Sequence, residues 1–183
     1  AIEIDVDALF DGEQLFLGGV MEHIEEAGIH SGDSACVIPS TSIDSAMLTQ
    51  IRSATEKLAR GTNVRGLINI QYAIAENVLY VLEANPRASR TTPFIAKAYQ
   101  IPYLNIATKV MLGANKLTDF TMEKKLDGYA IKEPVFSFEK FPGVNKELGP
   151  EMKSTGEAIR FIKDLRDPYF RTLYKERSMN LSR

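Results

Sequence analysis

Two segments of the chain predict β-hairpins, and they constrain the fold most because a hairpin fixes two strands as antiparallel neighbours. In the first, residues 2–8 alternate apolar and acidic residues, the period of a strand with one solvated face. Asp11 and Gly12 form a turn signal, and residues 15–20 supply the returning strand. The polar face of the first strand consists of Glu3, Asp5 and Asp7. By this pattern alone the acidic face lies in solvent.

Helices are predicted between the strands. Apolar residues spaced by three and four positions predict one buried helical face, which consists of Met47, Ile51, Ala54 and Leu58. Asp44 or Ser42 can cap this helix, and Gly61 is placed to end it. Two shorter helices are predicted to begin at Pro93 and at Pro102.

The remaining segments are less regular. Residues 21–33 are polar and interrupted by glycine, which predicts a helical turn and a loop. Residues 34–38 predict a strand, and residues 129–138 contain one or two more. From Gly156 onward we predict a helix and then a basic, aromatic tail that packs on this domain, a neighbouring domain or a partner chain. Antiparallel hairpins with helices against them define an α+β fold.

Composition excludes several classes of protein. The 183 residues include 22 Lys and Arg against 24 Asp and Glu, a net charge of −2 that argues against nucleic-acid binding by bulk charge. A single cysteine, Cys36, excludes an intrachain disulfide scaffold and favours a reducing compartment, the cytoplasm. No apolar run is long enough for a membrane span, so we expect neither a membrane nor a nucleic-acid partner.

The second hairpin, residues 67–84, carries the candidate chemistry. If residues 75–77 form a three-residue turn, Asn69 lies opposite Glu83 and Gln71 is a diagonal neighbour on the same face. A two-residue turn would place Gln71 on the opposite face unless a bulge restores it. Asn85 shares the face of Glu83 because side chains alternate along a strand.

One carboxylate and two amide oxygens on one face form a set of hard oxygen donors, which suits Mg²⁺. Arg87 and Arg90 follow directly, and guanidinium groups beside a metal ion are suited to binding a phosphoryl group that is being transferred. The alternative is that Glu83 is a solvated strand end while Gln71 and Asn85 make turn hydrogen bonds. The density of functional residues in 83–87 favours the metal site.

Residues 83–90 (Glu-Ala-Asn-Pro-Arg-Ala-Ser-Arg) resemble the metal-binding strand and loop of ATP-grasp enzymes. Further motifs narrow this to the large subunit of carbamoyl-phosphate synthase, and to the C-terminal, carbamate-phosphorylating half of its two ATP-grasp halves. They are 21–25 (Met-Glu-His-Ile-Glu), 28–34 (Gly-Ile-His-Ser-Gly-Asp-Ser), 64–67 (Val-Arg-Gly-Leu), 92–94 (Thr-Pro-Phe), 140–144 (Lys-Phe-Pro-Gly-Val) and 148–157 (Leu-Gly-Pro-Glu-Met-Lys-Ser-Thr-Gly-Glu).

The resemblance implies an ATP-grasp C-terminal subdomain over residues 1–157, followed by a helical basic and aromatic tail over 158–183. It implies a ligase that phosphorylates carbamate with ATP, for pyrimidine and arginine biosynthesis. The expected partners are ATP, carbamate, a glutaminase small subunit and the rest of the large subunit.

The resemblance also assigns roles to individual residues. The ligands of two Mg²⁺ or Mn²⁺ ions, which bridge the ATP phosphates, would be Gln71, Glu83 and Asn85. The ribose contact would be Glu3, and the nucleotide site would be lined by Gly28, Ile29, His30 and Ser31. The phosphoryl group and carbamate would be held by Arg87 and Arg90. For His23, the other histidine, a structural hydrogen-bonding role is expected.

The pattern also departs from the family. The glycine-rich loop that covers the phosphates should precede Glu3 and is missing from the sequence. We therefore expect a fragment that holds the metal-bearing wall of the second active site and does not turn over alone. Two alternatives remain open: another ATP-grasp carboxylate ligase, and a non-catalytic nucleotide-binding relic.

Overall fold

In the computed structural model, which describes residues 1–179, seven strands form one antiparallel sheet with the order β5-β4-β1-β2-β3-β6-β7. The strands are β1 (Ile2–Phe10), β2 (Leu15–Glu26), β3 (Cys36–Ile38), β4 (Gly66–Ala75), β5 (Val78–Asn85), β6 (Tyr129–Val135) and β7 (Gly156–Ile162). The α-helices are α1 (Ser45–Gly61), α2 (Thr92–Tyr99), α3 (Tyr103–Met111) and α4 (Pro168–Met179). The predicted α+β class with an antiparallel sheet is confirmed.

One face of the sheet is apolar and is covered by α1. Ile4, Val6 and Ala8 of β1 are fully buried there, together with Met47 and Ile51 from the helix. The helix begins where the sequence predicts it, because the Asp44 carboxylate accepts a hydrogen bond of 2.7 Å from the Met47 amide.

Its C-terminus differs from the prediction. Gly61 is still helical, and the left-handed residue that follows the helix is Asn63, with φ 51°. Asparagine is one of the few residues besides glycine that adopt this conformation, and its position after the C-cap Thr62 lets the helix continue through Gly61.

The opposite face of β1 contains the acids Glu3, Asp5 and Asp7, and the prediction that this face is solvated is wrong. These side chains are 3%, 2% and 0% exposed. Strand β1 lies in the middle of the sheet between β2 and β4, and α2 and α3 pack over the same side through a second apolar cluster that includes Phe94, Ile95 and Tyr103. Alternation of residue types therefore separates two buried faces here.

Two segments have a different structure from the one predicted. Residues 21–26, expected as a helical turn and loop, continue β2, because pairing with β1 extends as far as Ile2 opposite Glu26. Gly156 begins a strand rather than a helix, since β7 pairs with β6 along its whole length.

The tail beyond β7 packs on this domain. Phe170 and Leu173 of α4 are buried against Ile24 and Val37, and Arg177 forms an ion pair with the buried Glu25. Residues 180–183 of the predicted tail lie outside the described residues. Within residues 1–179, no helix is long and apolar enough to cross a membrane.

Candidate functional site

The β4–β5 hairpin brings the predicted metal ligands to one face by a route that differs from the expected register. Its turn has two residues rather than three, with Ala75 opposite Val78 and with Glu76 and Asn77 at φ 51° and 61°. A register shift between Gln71 and Tyr72 then inserts one extra residue in β5.

The extra residue is Leu82, because Val81 lies opposite Tyr72 whereas Glu83 lies opposite Gln71. The expected pairing of Asn69 with Glu83 is therefore wrong, and Asn69 lies opposite Asn85 instead. The bulge compensates for the short turn, so Gln71 and Glu83 directly face each other on one side of the sheet.

Beside this pair lies a cleft of about 170 Å³. Most of the predicted site residues line it, namely His30, Ser31, Gln71, Glu83, Arg87 and Arg90. The other lining residues are Asp5, Gly32, Asn69, Ser89, Thr91, Lys132 and Glu157. Glu3, Gly28, Ile29 and Asn85 are not among the lining residues, although Asn85 pairs with the lining residue Asn69.

The donor set of the cleft fits a hard cation that also binds phosphate. The Gln71 amide nitrogen donates a hydrogen bond of 3.1 Å to the Ser31 hydroxyl, which orients the side chain and leaves its carbonyl oxygen as a donor for a metal. Among residues 1–179, no group of three or more His, Cys, Asp and Glu side chains could hold a metal ion. A cation here would therefore take ligands from Glu83, from amide oxygens and from the phosphates of a nucleotide, as Mg²⁺ does.

A buried lysine and a buried aspartate line the cleft, and the lysine contacts the loop of residues 28–34. The Lys132 ammonium is fully buried and donates a hydrogen bond of 2.9 Å to the Ser31 carbonyl oxygen. Burial alone would lower the pKa of Lys132, but the net shift is upward because of Cys36, Asp5 and Glu157. Burial raises the pKa of Asp5. The hydrogen bond of 2.5 Å that Asp5 accepts from the Asn69 side-chain amide lowers this pKa, but by less than burial raises it.

A second pair of ionisable groups lies next to the predicted ribose contact. Burial raises the pKa of Glu3 to about 7, although a hydrogen bond from the Gly28 backbone acts to lower it. His23 Nδ1 lies 3.7 Å from Glu3 Oε1, and burial lowers the pKa of His23 to about 3, so its ring is neutral.

Neither His23 nitrogen has a hydrogen-bond partner within the described part of the chain. The expected structural hydrogen bond of His23 is thus wrong.

The loop of residues 28–34 is also joined to a motif distant in sequence. The His30 amide donates to the Gly149 carbonyl at 2.8 Å. The buried Asp33 carboxylate accepts hydrogen bonds of 2.8 Å from the amides of Lys153 and Ser154. Two of the motifs quoted for the resemblance therefore form one structural unit at the cleft.

The residues that the sequence reasoning missed include four ionisable groups in or next to the cleft: Asp5, Asp7, Lys132 and Glu157. A signal exists for the first three. The acids alternate along a strand, and Lys132 interrupts the mainly apolar start of β6. Glu157 is the last residue of the motif 148–157, but no role was predicted for it; the structure places its carboxylate 3.7 Å from Arg90 Nε.

The sequence matches the family model described as the carbamoyl-phosphate synthase L chain, ATP binding domain, over residues 2–119. The carbamoyl phosphate synthase large chain of Archaeoglobus fulgidus is 55% identical over 173 residues, which is 93% of this chain and 16% of the relative. The C-terminal section of the Methanocaldococcus jannaschii large chain is 50% identical over 182 residues, which is 93% of this chain and 29% of the relative. The chain thus spans 16% and 29% of the length of these two relatives.

Solved structures with the same fold are much more distant in sequence. The Kluyveromyces lactis urea carboxylase superposes with a TM-score of 0.68 at 14% identity, over 93% of this chain and 17% of that protein. The biotin carboxylase subunit of pyruvate carboxylase gives 0.67 at 15% identity, over 93% of this chain and 44% of that subunit. At these identities the likeness concerns the fold alone, that of an ATP-grasp C-terminal subdomain.

Proposed function

This chain belongs to the family of carbamoyl-phosphate synthase large-chain ATP-binding domains, and on that premise we propose that it forms the metal-bearing wall of the site that phosphorylates carbamate. In this reaction a carbamate oxygen attacks the γ-phosphorus of ATP, the bond to the β–γ bridging oxygen breaks, and ADP leaves. The observation that carries the proposal is the bulge that sets Glu83 opposite Gln71 beside two arginines.

Phosphoryl transfer requires mainly positioning and charge neutralisation from the protein. Mg²⁺ or Mn²⁺ ions held by Gln71, Glu83 and Asn85 would supply charge neutralisation on the ATP phosphates. Arg87 and Arg90, on the loop after β5, present guanidinium groups to the same cleft and can bind equatorial phosphoryl oxygens or the carbamate.

The nucleotide-binding residues are proposed from the loop that precedes β3. His30 and Ser31 line the cleft, and Gly28 contacts Glu3 through its backbone. A carboxylate at Glu3 can accept hydrogen bonds from the hydroxyls of a ribose, which would compensate for its burial.

The assignment to the C-terminal half is supported by the identity to the C-terminal section of the Methanocaldococcus jannaschii large chain. With this assignment we further propose carbamate as the acceptor and a glutaminase subunit as the source of ammonia. Pyrimidine and arginine biosynthesis would be the pathways, in the cytoplasm.

The test uses Glu83→Gln in the intact large chain with its glutaminase. Loss of the carboxylate should lower carbamoyl phosphate synthesis at least about 100-fold, because charge neutralisation at the transferred group is lost. Bicarbonate-dependent ATP hydrolysis at the other half should continue. The reverse reaction, ATP formation from ADP and carbamoyl phosphate, isolates the proposed step and should be lost in parallel.

The matched control is Glu76→Gln, which removes the same charge at the exposed turn of the same hairpin. This variant should retain both activities. Normal carbamoyl phosphate synthesis by the Glu83→Gln enzyme would contradict the proposed function.

A further inference from the structure

The loop of residues 86–91 carries both arginines of the site but has no helix or strand of its own. Arg87 and Arg90 are exposed. The Arg87 guanidinium donates a hydrogen bond of 3.0 Å to the neighbouring Ala88 carbonyl. The Arg90 guanidinium contacts Glu157 and the Met152 sulfur.

Within the loop, the Arg87 amide donates to the Asn85 carbonyl at 2.8 Å, and the Thr91 amide donates to the Ser89 hydroxyl at 3.1 Å. These bonds shape the loop locally but do not join it to the sheet.

Two groups of the sheet contact this loop: Glu157 of β7, through Arg90, and Asp7 of β1. The Ser89 hydroxyl lies 2.8 Å from both carboxylate oxygens of Asp7, and the Thr91 hydroxyl donates to the same group. Ser89 and Thr91 thus flank Arg90 in sequence and share one acceptor.

Asp7 is itself immobilised. Its side chain is fully buried, and its backbone lies between Gly19 of β2 and Asn69 of β4 in the centre of the sheet. Burial raises the pKa of Asp7 to about 7, the Asp5 charge adds to this, and the hydroxyls of Thr91 and Ser89 act in the opposite direction. The two hydroxyls therefore favour the charged carboxylate, which holds them more strongly than a neutral acid would.

We propose that Asp7 is a positioning residue for the phosphoryl-transfer site, which fixes the arginine-bearing loop through Ser89 and Thr91. The proposal rests on the function proposed above and adds a residue that does not need to touch the substrate. With both neighbours of Arg90 bound to one rigid carboxylate, the backbone that carries this guanidinium group is held at the cleft that Glu83 and Gln71 also line, so the loop does not have to be ordered at each turnover.

The alternative is that Asp7 only contributes to folding. The two roles differ kinetically. Displacing a transition-state contact by about 1 Å can lower kcat about 100-fold, and it does so without an equal change in KM for ATP. A purely structural loss lowers the amount of folded enzyme and leaves the kcat of the folded fraction unchanged.

The experiment measures kcat and KM for ATP in the intact large chain with its glutaminase, normalised to folded active sites. The variants are Asp7→Asn, Ser89→Ala, Thr91→Val and the Asp7→Asn/Ser89→Ala double variant. We expect each single variant to lower kcat about 10- to 100-fold with KM within about threefold. The double variant should be no slower than the slower single variant, because both changes remove the same contact.

Two conservative variants and one remote variant complete the test. Ser89→Thr and Thr91→Ser keep a hydroxyl and should retain kcat within about threefold of wild type. Glu22→Gln changes a buried carboxylate on the opposite face of the sheet, which accepts hydrogen bonds from the amides and hydroxyls of Thr41 and Ser42. It should lower stability and leave kcat unchanged.

The outcomes separate the two proposals. A normal kcat in Asp7→Asn, or independent losses that multiply in the double variant, overturns the positioning role while the Glu83→Gln result still stands. If Glu83→Gln has normal activity, the proposed function fails first, whatever Asp7 does. Loss of kcat in Glu22→Gln equal to that in Asp7→Asn also overturns the positioning role, because it shows that any buried carboxylate lost from the sheet has the same effect.

Discussion

The two faces of β1 are equally buried but chemically opposite. On the side of α1, Ile4, Val6 and Ala8 belong to a continuous apolar cluster. On the other side, the alternate residues Glu3, Asp5 and Asp7 are buried, and Asp5 lines the cleft. Burial of carboxylates is unfavourable without compensating partners. Asp5 and Asp7 have such partners in Asn69, Ser89 and Thr91, so the acidic face depends on polar contacts, whereas the apolar face depends on packing.

The same division extends to β4. Ile70 is fully buried on the apolar face, and the next residue, Gln71, lies on the acidic face with its amide bound to Ser31. Stability and function are thus assigned to alternate residues of the same strands, which makes them separable by mutation.

The largest expected difference in stability is between Ile70→Ala and Gln71→Ala. Ile70→Ala should lower the free energy of unfolding by about 2–5 kcal/mol, because it leaves a cavity beneath α1. Gln71→Ala removes one part-buried hydrogen bond and should cost about 0.5–1.5 kcal/mol. Urea denaturation of the chain measures both. Equal losses in the free energy of unfolding would contradict the claim that the apolar face contributes more to stability than the acidic face.

A smaller difference is expected between two buried tyrosines. The Tyr72 hydroxyl is bonded to the buried Thr55 hydroxyl at 2.9 Å on the apolar side, so Tyr72→Phe leaves Thr55 without that partner and should cost about 1–2 kcal/mol.

Tyr103 packs on the acidic side, and its hydroxyl has no hydrogen-bond partner among residues 1–179. Tyr103→Phe should change stability by less than about 0.5 kcal/mol or increase it. The same denaturation experiment checks the pair, and a larger loss for Tyr103→Phe than for Tyr72→Phe would reverse the comparison.

A pH-dependent effect is expected for Glu3→Gln. The pKa of Glu3 is raised from 4.5 to about 7 in the folded chain, so the folded state binds more protons between these values. Wild type should therefore lose stability as pH rises through this window, and the variant should lack this contribution.

Thermal melts of both proteins across that window give the difference directly. The melting temperature of Glu3→Gln relative to wild type should rise as pH increases from 4.5 to 7. His23, whose lowered pKa acts in the opposite direction, is present in both proteins and does not produce the difference. Parallel pH curves would show that Glu3 titrates normally in the folded chain.

Much of the fold follows from local patterns. The hairpins, the helix capped by Asp44 and the helix opened by Pro93 are visible in the sequence because each depends on residues close together in the chain. The burial of Asp5 and Asp7 is not visible, because it depends on β1 lying in the centre of the sheet under α2 and α3. Residues that alternate in type do not reveal whether the second face meets water or protein.

The site, like the fold, was predictable only where its residues are close together in the sequence. Residues 83–90 indicate a metal and phosphate site because the required donors are consecutive. The facing of Gln71 and Glu83 depends on a bulge at Leu82, which compensates for a turn one residue shorter than expected. A bulge leaves no residue signature in this strand, so its position came from the structure. Glu157 joins the site only because β7 pairs with β6.

The central claim is that the bulged hairpin directs Glu83 toward a metal–nucleotide site. The most direct measurement counts Mn²⁺ ions bound to the intact large chain with a non-hydrolysable ATP analogue, by electron paramagnetic resonance. Glu83→Gln should bind fewer ions than wild type, and Glu76→Gln, in the turn of the same hairpin, should bind the same number. Equal Mn²⁺ binding by wild type and Glu83→Gln would contradict the claim.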